Sequence, residues 1–178
     1  MLECPSPIST FRAGLAALSL GEQKQVFDAL PGIFQAALWQ DRLREGMAAV
    51  HDKAQARIFS DLCDVLSPES YSDKKKNGTV VKYIDDLAPR IEQLFPDQSG
   101  FQKYTQQLGD DPCKEDTVVK AGGGLPTCVC SSDRSCMLRS NDCGALLECL
   151  AGGCIQTARG CGILWLQACD GLCTGDFC

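Results

Sequence analysis

The feature that most limits how this chain can fold is the crowding of cysteine at one end. Ten of its 13 cysteines lie in the last 51 of the 178 residues. That density exceeds the roughly 8–10% of cysteine that marks a disulfide scaffold. The preceding residues have an ordinary globular composition, so the sequence predicts two differently built halves.

The cysteine-rich half predicts a small domain that is stapled by disulfides and dominated by loops. A segment of this length buries only a small core, so covalent links must supply much of its order. We expect four or five disulfides confined to this segment, because long loops reaching back into the first half would cost more closure entropy. The cysteines concerned are Cys128, Cys130, Cys136, Cys143, Cys149, Cys154, Cys161, Cys169, Cys173 and Cys178.

The first half, residues 1–111, shows helical periodicity. Ser19-Leu-Gly-Glu22 has the pattern of a capping box and predicts a helix that runs to about Ala29. Pro31 suits the start of the next helix, and apolar residues then recur at helical spacing as far as Val65. This second pattern predicts one long helix, or two joined near Gly46.

Ser67-Pro68 ends that pattern, and we expect a polar loop containing Lys74-Lys75-Lys76 to follow. The helical period resumes over Val80–Leu94, with a break predicted at Pro89. A last short helix is expected near residues 101–108. Strand-like alternation is short throughout this half, so we predict an all-α helical bundle, which is also a candidate pro-region.

Residues 112–127 separate the halves. This stretch is charged and then glycine-rich at Gly122, Gly123 and Gly124, without periodic apolar residues. It predicts a linker or a processing site, because glycine without a side chain enters a protease cleft easily. The cysteine-rich domain is then expected over residues 128–178.

Charge and hydropathy exclude some function classes. The net charge is −6, with 12 basic against 16 acidic residues up to Pro112 and 5 against 7 after it, so nucleic-acid binding is disfavoured. No apolar run approaches the ~20 residues of a membrane-spanning helix. Met1–Ser19 lacks the features of a signal peptide, although disulfides imply an oxidising compartment. Either Met1 begins a trimmed form of the chain, or a cytosolic precursor is oxidised after export.

Catalytic and metal sites are not apparent. Cys63 lies in a helical apolar pattern, where a buried inert thiol is expected, and His51 is predicted three turns upstream on the same helix, too far away to activate it. Cys4 and Cys113 are unassigned. The tail contains no histidine, so a thiolate metal cluster requires reduced cysteines. We therefore expect neither enzymatic activity nor a cofactor.

Apolar residues are unusually frequent in the tail. Some must form its core, and we expect this of Leu146, Leu150 and Leu164. In the run Ile163, Leu164, Trp165 and Leu166, an extended backbone would direct alternate side chains to opposite faces. One pair could then complete the core while Trp165 contacts a target at a membrane interface or in a receptor pocket. We therefore predict these four residues as the target-contact segment.

Several segments resemble one family. The tail opens with Cys128-x-Cys130, continues through Gly160-Cys161-Gly162 and Leu164-Trp165, and reaches Cys169-x-Gly171-x-Cys173. These features, with Phe27-x-x-Leu30-Pro31 and Leu38-Trp39-x-x-Arg42-Leu43 in the helical half, resemble the fulvocin C-related bacteriocins. The resemblance implies a secreted bacterial antimicrobial polypeptide that is not an enzyme and has an unknown target on a bacterial cell surface.

Three functional readings remain open at this point. The chain could be a toxin whose helical pro-region keeps apolar surface covered until a processing protease or exporter cleaves it. It could instead be an extracytoplasmic binding protein whose disulfide-rich tail recognises a partner. A thiolate metal-binding protein is the third reading.

Overall fold

A computed structural model describes residues 6–109, 125–128, 130–132 and 149–173. The first described range forms seven helices, and the later ranges contribute four short strands. The predicted fold class, a helical bundle followed by a small disulfide-rich region, is confirmed. The helices are α1 (Pro7–Ala16), α2 (Leu20–Ala29), α3 (Gly32–Ala49), α4 (Lys53–Val65), α5 (Glu69–Ser72), α6 (Lys74–Leu94) and α7 (Ser99–Thr105).

Side-chain caps determine where several helices begin. The Ser19 hydroxyl accepts from the Glu22 amide while the Glu22 carboxylate accepts from the Ser19 amide, so the predicted capping box of α2 is confirmed. Hydrogen bonds donated by the Ser19 hydroxyl and by the Ser19 amide lower the pKa of the Glu22 carboxyl. Asp52 and Asp73 cap α4 and α6 in a related way, by accepting backbone N–H groups of the first turn.

Three expectations about the bundle are wrong in detail. The long apolar pattern forms two helices, which is one of the two predicted alternatives, but the junction is misplaced. It lies at residues 50–52, because Asp52 starts a new helix there, and Gly46 lies inside α3. Lys74-Lys75-Lys76 forms the first turn of α6 rather than a loop, because Asp73 caps it. Helix α6 also continues through Pro89, which lies on its exposed side.

Two buried arginines hold the chain that leaves α7. The Arg42 guanidinium donates to the carbonyl oxygens of Gln107, Lys103 and Gly109 at 2.9–3.1 Å. The Arg12 Nη1 donates to the Leu108 carbonyl at 2.6 Å, and its Nε pairs with Asp41. Charged donors at a helix C-terminus satisfy carbonyls that have no helical partner, so residues 106–109 are fixed against α1 and α3.

The tail forms two antiparallel pairs of short strands. Strand β1 (Cys149–Ala151) pairs with β4 (Gly171–Cys173), and β2 (Thr157–Cys161) pairs with β3 (Gln167–Cys169). Three disulfides join Cys128 to Cys154, Cys130 to Cys149, and Cys161 to Cys169. All three lie within the tail, as predicted. Cys4, Cys113, Cys136, Cys143 and Cys178 lie outside the described residues.

The two halves share one apolar core. Residues 163–166 of the tail belong to the same buried cluster as the aromatic and aliphatic residues of the bundle. A second, smaller buried cluster consists of four half-cystines, with Leu172 packed against it. Those half-cystines are Cys128, Cys154, Cys161 and Cys169.

Candidate functional site: the apolar turn of the tail

Residues Ile163–Leu166, here called the apolar turn, connect β2 to β3. Ile163–Trp165 form one 3₁₀ turn, and the disulfide between Cys161 and Cys169 closes the loop at its base. In the pairing of β2 with β3, Cys161 lies opposite Gln167, and Cys169 lies opposite Thr157. The ends of the turn are therefore held together both covalently and by backbone hydrogen bonds.

The backbone of the apolar turn is strained. Leu164 and Trp165 have φ angles of 54° and 50°, in the left-handed region that side-chain-bearing residues seldom enter. Such conformations cost on the order of 1–3 kcal/mol each and persist only where the surroundings impose them. Gly162 precedes them with a φ of 72°, a value that glycine adopts without a Cβ penalty. The turn therefore depends on the contacts around it.

The structure buries all four side chains of the apolar turn, with exposed fractions of 2%, 0%, 0% and 1% in chain order. The expectation that Trp165 and one face of the run would be displayed is therefore wrong for the folded chain. The prediction assumed extended backbone and a thin, isolated domain. The segment instead coils into a tight turn, and the helical bundle covers the side that would otherwise face solvent.

Trp165 occupies the centre of the contact between the halves. Its ring meets Phe27 of α2 and Trp39 of α3 edge to face, with centroid distances of 5.1 and 5.6 Å. Each such pair contributes about 0.5–1.5 kcal/mol beyond the burial of its area. The indole Nε1 donates to the Gln106 carbonyl at 3.1 Å, in the segment that the two buried arginines hold. The bundle thus buries the indole ring and also accepts the hydrogen bond of its N–H group.

Two side chains of the bundle donate hydrogen bonds to carbonyls of the turn. The Tyr71 hydroxyl donates to the Leu164 carbonyl at 2.9 Å, and the Asn77 Nδ2 donates to the Leu166 carbonyl at 3.0 Å. Burial raises the pKa of the Tyr71 hydroxyl well above its ordinary value, so the phenol remains a donor at neutral pH. These bonds satisfy carbonyls that the tight turn leaves without strand partners.

Helix α2 contacts the tail beside the turn. The Asp28 carboxylate accepts from the backbone amides of Ala158 at 3.2 Å and Arg159 at 2.7 Å. The Lys24 Nζ, fully buried, lies 3.2 Å from the Cys161 Sγ. The Lys24 stem leaves little space at Gly160, where a Cβ would lie 3.1 Å from that of Lys24. The φ of 125° at Gly160 also favours glycine. Both the close approach of Lys24 and the backbone conformation therefore favour glycine at this position.

Sequence reasoning missed the bundle residues that form this contact. Lys24 lies one helical turn before the fully buried Phe27, and this i, i+3 spacing is the signal that could have placed it on the core side of α2. Asn77 directly follows the lysine run that was predicted as a loop. It lies instead in α6, and its side chain donates to the Leu166 carbonyl. Nothing in the local sequence marks Asp28, Tyr71 or Gln106 as contacts of a segment near the other end of the chain.

The remaining predicted residues lie elsewhere. Cys63 is a half-buried free thiol whose Sγ lies 3.7 Å from the Gln40 carbonyl, and burial raises its pKa. His51 lies exposed between α3 and α4, not on the same helix as Cys63. Leu150, expected in the core, is exposed. The processing residues Gly122, Gly123 and Gly124, together with Leu146, lie outside the described residues.

The described residues contain neither a metal-binding group nor a membrane-spanning helix. Within the described ranges, no group of three or more histidine, cysteine or acidic side chains is placed to hold a metal ion. The six cysteines joined in disulfides have no thiolate to offer in this oxidised form. None of the helices in residues 6–109 is long and apolar enough to cross a membrane.

Comparison of the chain with protein-family models, curated proteins and solved structures finds no match.

Proposed function

We propose that this protein is the precursor of a secreted bacterial antimicrobial polypeptide that acts through its cysteine-rich tail. In this proposal the helical bundle is the pro-region, and the apolar turn of the tail is the part that meets a bacterial cell surface. The observation that carries the proposal is the complete burial of Ile163–Leu166 against the bundle. Removal of the bundle would uncover four apolar side chains on a disulfide-stapled scaffold.

An extracellular location fits the disulfides. Three cystines join strands and loops of the tail, and cystines persist mainly in oxidising compartments. The three disulfides would also keep the tail cross-linked after separation from the bundle, because each joins two cysteines of the tail. These features are consistent with an extracellular disulfide-bonded protein.

The residues that carry the family resemblance in the two halves also meet in space. Phe27 and Trp39 belong to the helical segments that resemble fulvocin C-related bacteriocins, and Trp165 belongs to the tail segment. These three rings form one edge-to-face cluster. Their contact supports a common role for both halves in a single precursor.

Growth inhibition tests the proposal. The oxidised full chain would carry a protease recognition sequence within residues 113–124, and the tail would be separated after cleavage in a denaturant that leaves disulfides intact. We expect the separated oxidised tail to inhibit indicator bacteria, and the uncut chain to be inactive at the same concentration. An inert tail that retains its disulfides would refute the antimicrobial role, and an equally active uncut chain would refute the pro-region role.

Paired variants of the tail sharpen this assay. Trp165→Ala removes the largest side chain of the apolar turn, whereas Leu150→Ala removes an apolar side chain that is already exposed in the uncut chain. We expect the first variant to lose growth inhibition and the second to retain it. Equal loss in both would argue that general hydrophobicity, rather than the apolar turn, accounts for the activity.

One observation favours a second candidate, an extracytoplasmic binding protein that works uncut. The tail exposes Leu150 and Ile155 while the bundle is in place, and Leu125 just before the tail is exposed as well. In that case cleavage between the halves should abolish function instead of releasing it.

A further inference from the structure

We propose that the bundle surface that receives the apolar turn is a binding site for the tail as a separate polypeptide. After the linker is cut, the tail then remains bound, and the helical region acts as its inhibitor. This inference rests on the proposed function for its biological meaning. The binding itself is a separate claim, which can be measured without bacteria.

The described disulfides leave the contact between the halves noncovalent. Each of the three described disulfides joins two cysteines of the tail, and Cys63, the bundle cysteine that the structure describes, is free. Among the described cysteine side chains, none bridges the two halves. The proposed cut therefore falls in the chain between residues 109 and 125.

The receiving surface has the composition of a specific interface. Its centre is apolar and aromatic, with Phe27 and Trp39 around the Trp165 ring. Buried tryptophan in a closely packed pocket is the typical anchor of tight protein–protein contacts. The four tail residues at this centre are fully or almost fully buried.

Hydrogen bonds cross the contact in both directions. Tyr71 and Asn77 donate to carbonyls of the apolar turn, while the Gln106 carbonyl accepts from Trp165. Asp28 accepts from two amides of β2. These directed hydrogen bonds orient a partner, because a different docking would break them.

A disulfide restrains the segment that the bundle receives. The cystine at Cys161 and Cys169 closes the loop that contains the turn, which lowers the ordering cost of binding. The receiving residues come from α2, α3, α5 and α6 and from the segment after α7, so the surface exists only in the folded bundle. The partner that fits it is an apolar turn closed by a disulfide, as in this tail.

A consequence follows for processing. Cleavage in residues 110–124 does not by itself free the apolar turn. The turn is uncovered when the cut complex is diluted below its dissociation constant, or when another surface competes for it. Release would then depend on concentration as well as on the protease.

The experiment uses the oxidised full chain with the protease site in residues 113–124. After complete cutting, shown on a denaturing gel without reductant, the sample is run on native gel filtration at about 10 μM, a concentration that retains micromolar or tighter complexes. We expect both fragments to elute together at the volume of the uncut chain. Elution of two separate fragments, or aggregation of either one, overturns the inference.

A matched pair of substitutions tests the assigned surface. Tyr71→Phe removes the donor to the Leu164 carbonyl, whereas Tyr83→Phe changes a tyrosine of α6 that has no described hydrogen bond to the turn. A dilution series should show the dissociation constant of the cut Tyr71→Phe complex raised about three- to tenfold, with Tyr83→Phe unchanged. Equal values for the two variants overturn the assignment of this surface.

A second pair covers the β2 contact. Asp28→Asn weakens the acceptor of two amides, and the exposed Asp64→Asn serves as its control for the loss of one charge. We expect the dissociation constant of the cut complex to rise about tenfold for Asp28→Asn and to stay unchanged for Asp64→Asn. No difference between them would remove β2 from the binding site.

The outcomes separate this inference from the proposed function. Fragments that part at once while the isolated tail inhibits bacteria would refute the inference alone. Fragments that stay together while the isolated tail is inert would leave the binding site established and refute the antimicrobial role.

Discussion

The interiors of the bundle and the tail consist of different kinds of side chain. The described bundle surrounds a core of aromatic and aliphatic side chains, and its one described cysteine is a free thiol. The tail has a small interior of half-cystines, while the four side chains of the apolar turn lie in the core of the bundle. The difference shows that a region held by disulfides can use its large apolar residues for contact instead of for its own stability.

The largest expected effect tests whether Trp165 belongs to that shared core. We expect Trp165→Ala in the uncut chain to lower the free energy of unfolding by about 3–5 kcal/mol, because it empties a large buried space. Urea unfolding followed by circular dichroism measures the loss. Leu150→Ala should change the value by less than about 0.5 kcal/mol, since that side chain is exposed. Similar small losses for both would show that the tail does not rely on the bundle.

The next effect tests the covalent side of the comparison. Replacing both Cys128 and Cys154 by Ala opens the longest described disulfide loop, with a sequence separation of 26, and should cost about 3.5 kcal/mol. The same change at Cys161 and Cys169, with a separation of 8, should cost about 2.5 kcal/mol from chain entropy. Calorimetry of each double variant measures both. A reversed order would mean that packing of the apolar turn, rather than loop length, governs the second pair.

The third prediction concerns high pH. An unfolded chain loses the Tyr71 proton near the ordinary pKa of tyrosine, about 10, whereas burial keeps it bound in the folded chain. The folded state therefore holds more protons above that pH, and stability should fall by about 1.4 kcal/mol per pH unit until the raised pKa is reached. The difference between the chain and Tyr71→Phe, measured by urea unfolding from pH 8 to 11, isolates this contribution. A constant difference would contradict it.

The smallest effect lies within the bundle alone. Ser19→Ala removes the hydroxyl that caps α2 and should cost about 1 kcal/mol in thermal unfolding. Because α2 also contacts the tail, a much larger cost would show that the start of this helix controls docking of the tail as well. Ser19→Asp, which can also accept the amide hydrogen bond, should recover most of the loss.

Local chemistry explains which parts of the fold could be predicted. Ser19, Glu22 and the apolar spacing of the first half determine hydrogen bonds within one or two turns, so the helices were readable from the sequence. Pro89 was misjudged because an exposed proline can be tolerated when the rest of a 21-residue helix is well packed. The Lys74–Lys76 run was misjudged because its polar composition suggested a loop. Asp73 accepts the Lys76 amide hydrogen bond and so starts a helix there.

The candidate site was predictable in its residues but not in its orientation. An apolar run between two cysteines marked the turn. Its burial depended on a partner surface that is distant in sequence, as in the 93-residue separation of Tyr71 and Leu164. The left-handed angles of Leu164 and Trp165 carry no sequence signal, because neither residue favours them. Long-range packing imposes both features.

The distance in sequence between α2 and the tail also sets an order of events. Asp28 and Arg159 are 131 residues apart, and Lys24 and Cys161 are 137 apart, so these contacts are among the last that the chain can make. At a synthesis rate of ~5–20 residues per second, about 7–26 seconds pass between the emergence of the two partners. During that interval Phe27 and Trp39 lack the ring that covers them. The nascent bundle therefore passes through a stage with open aromatic surface, in which timely arrival of the tail competes with aggregation.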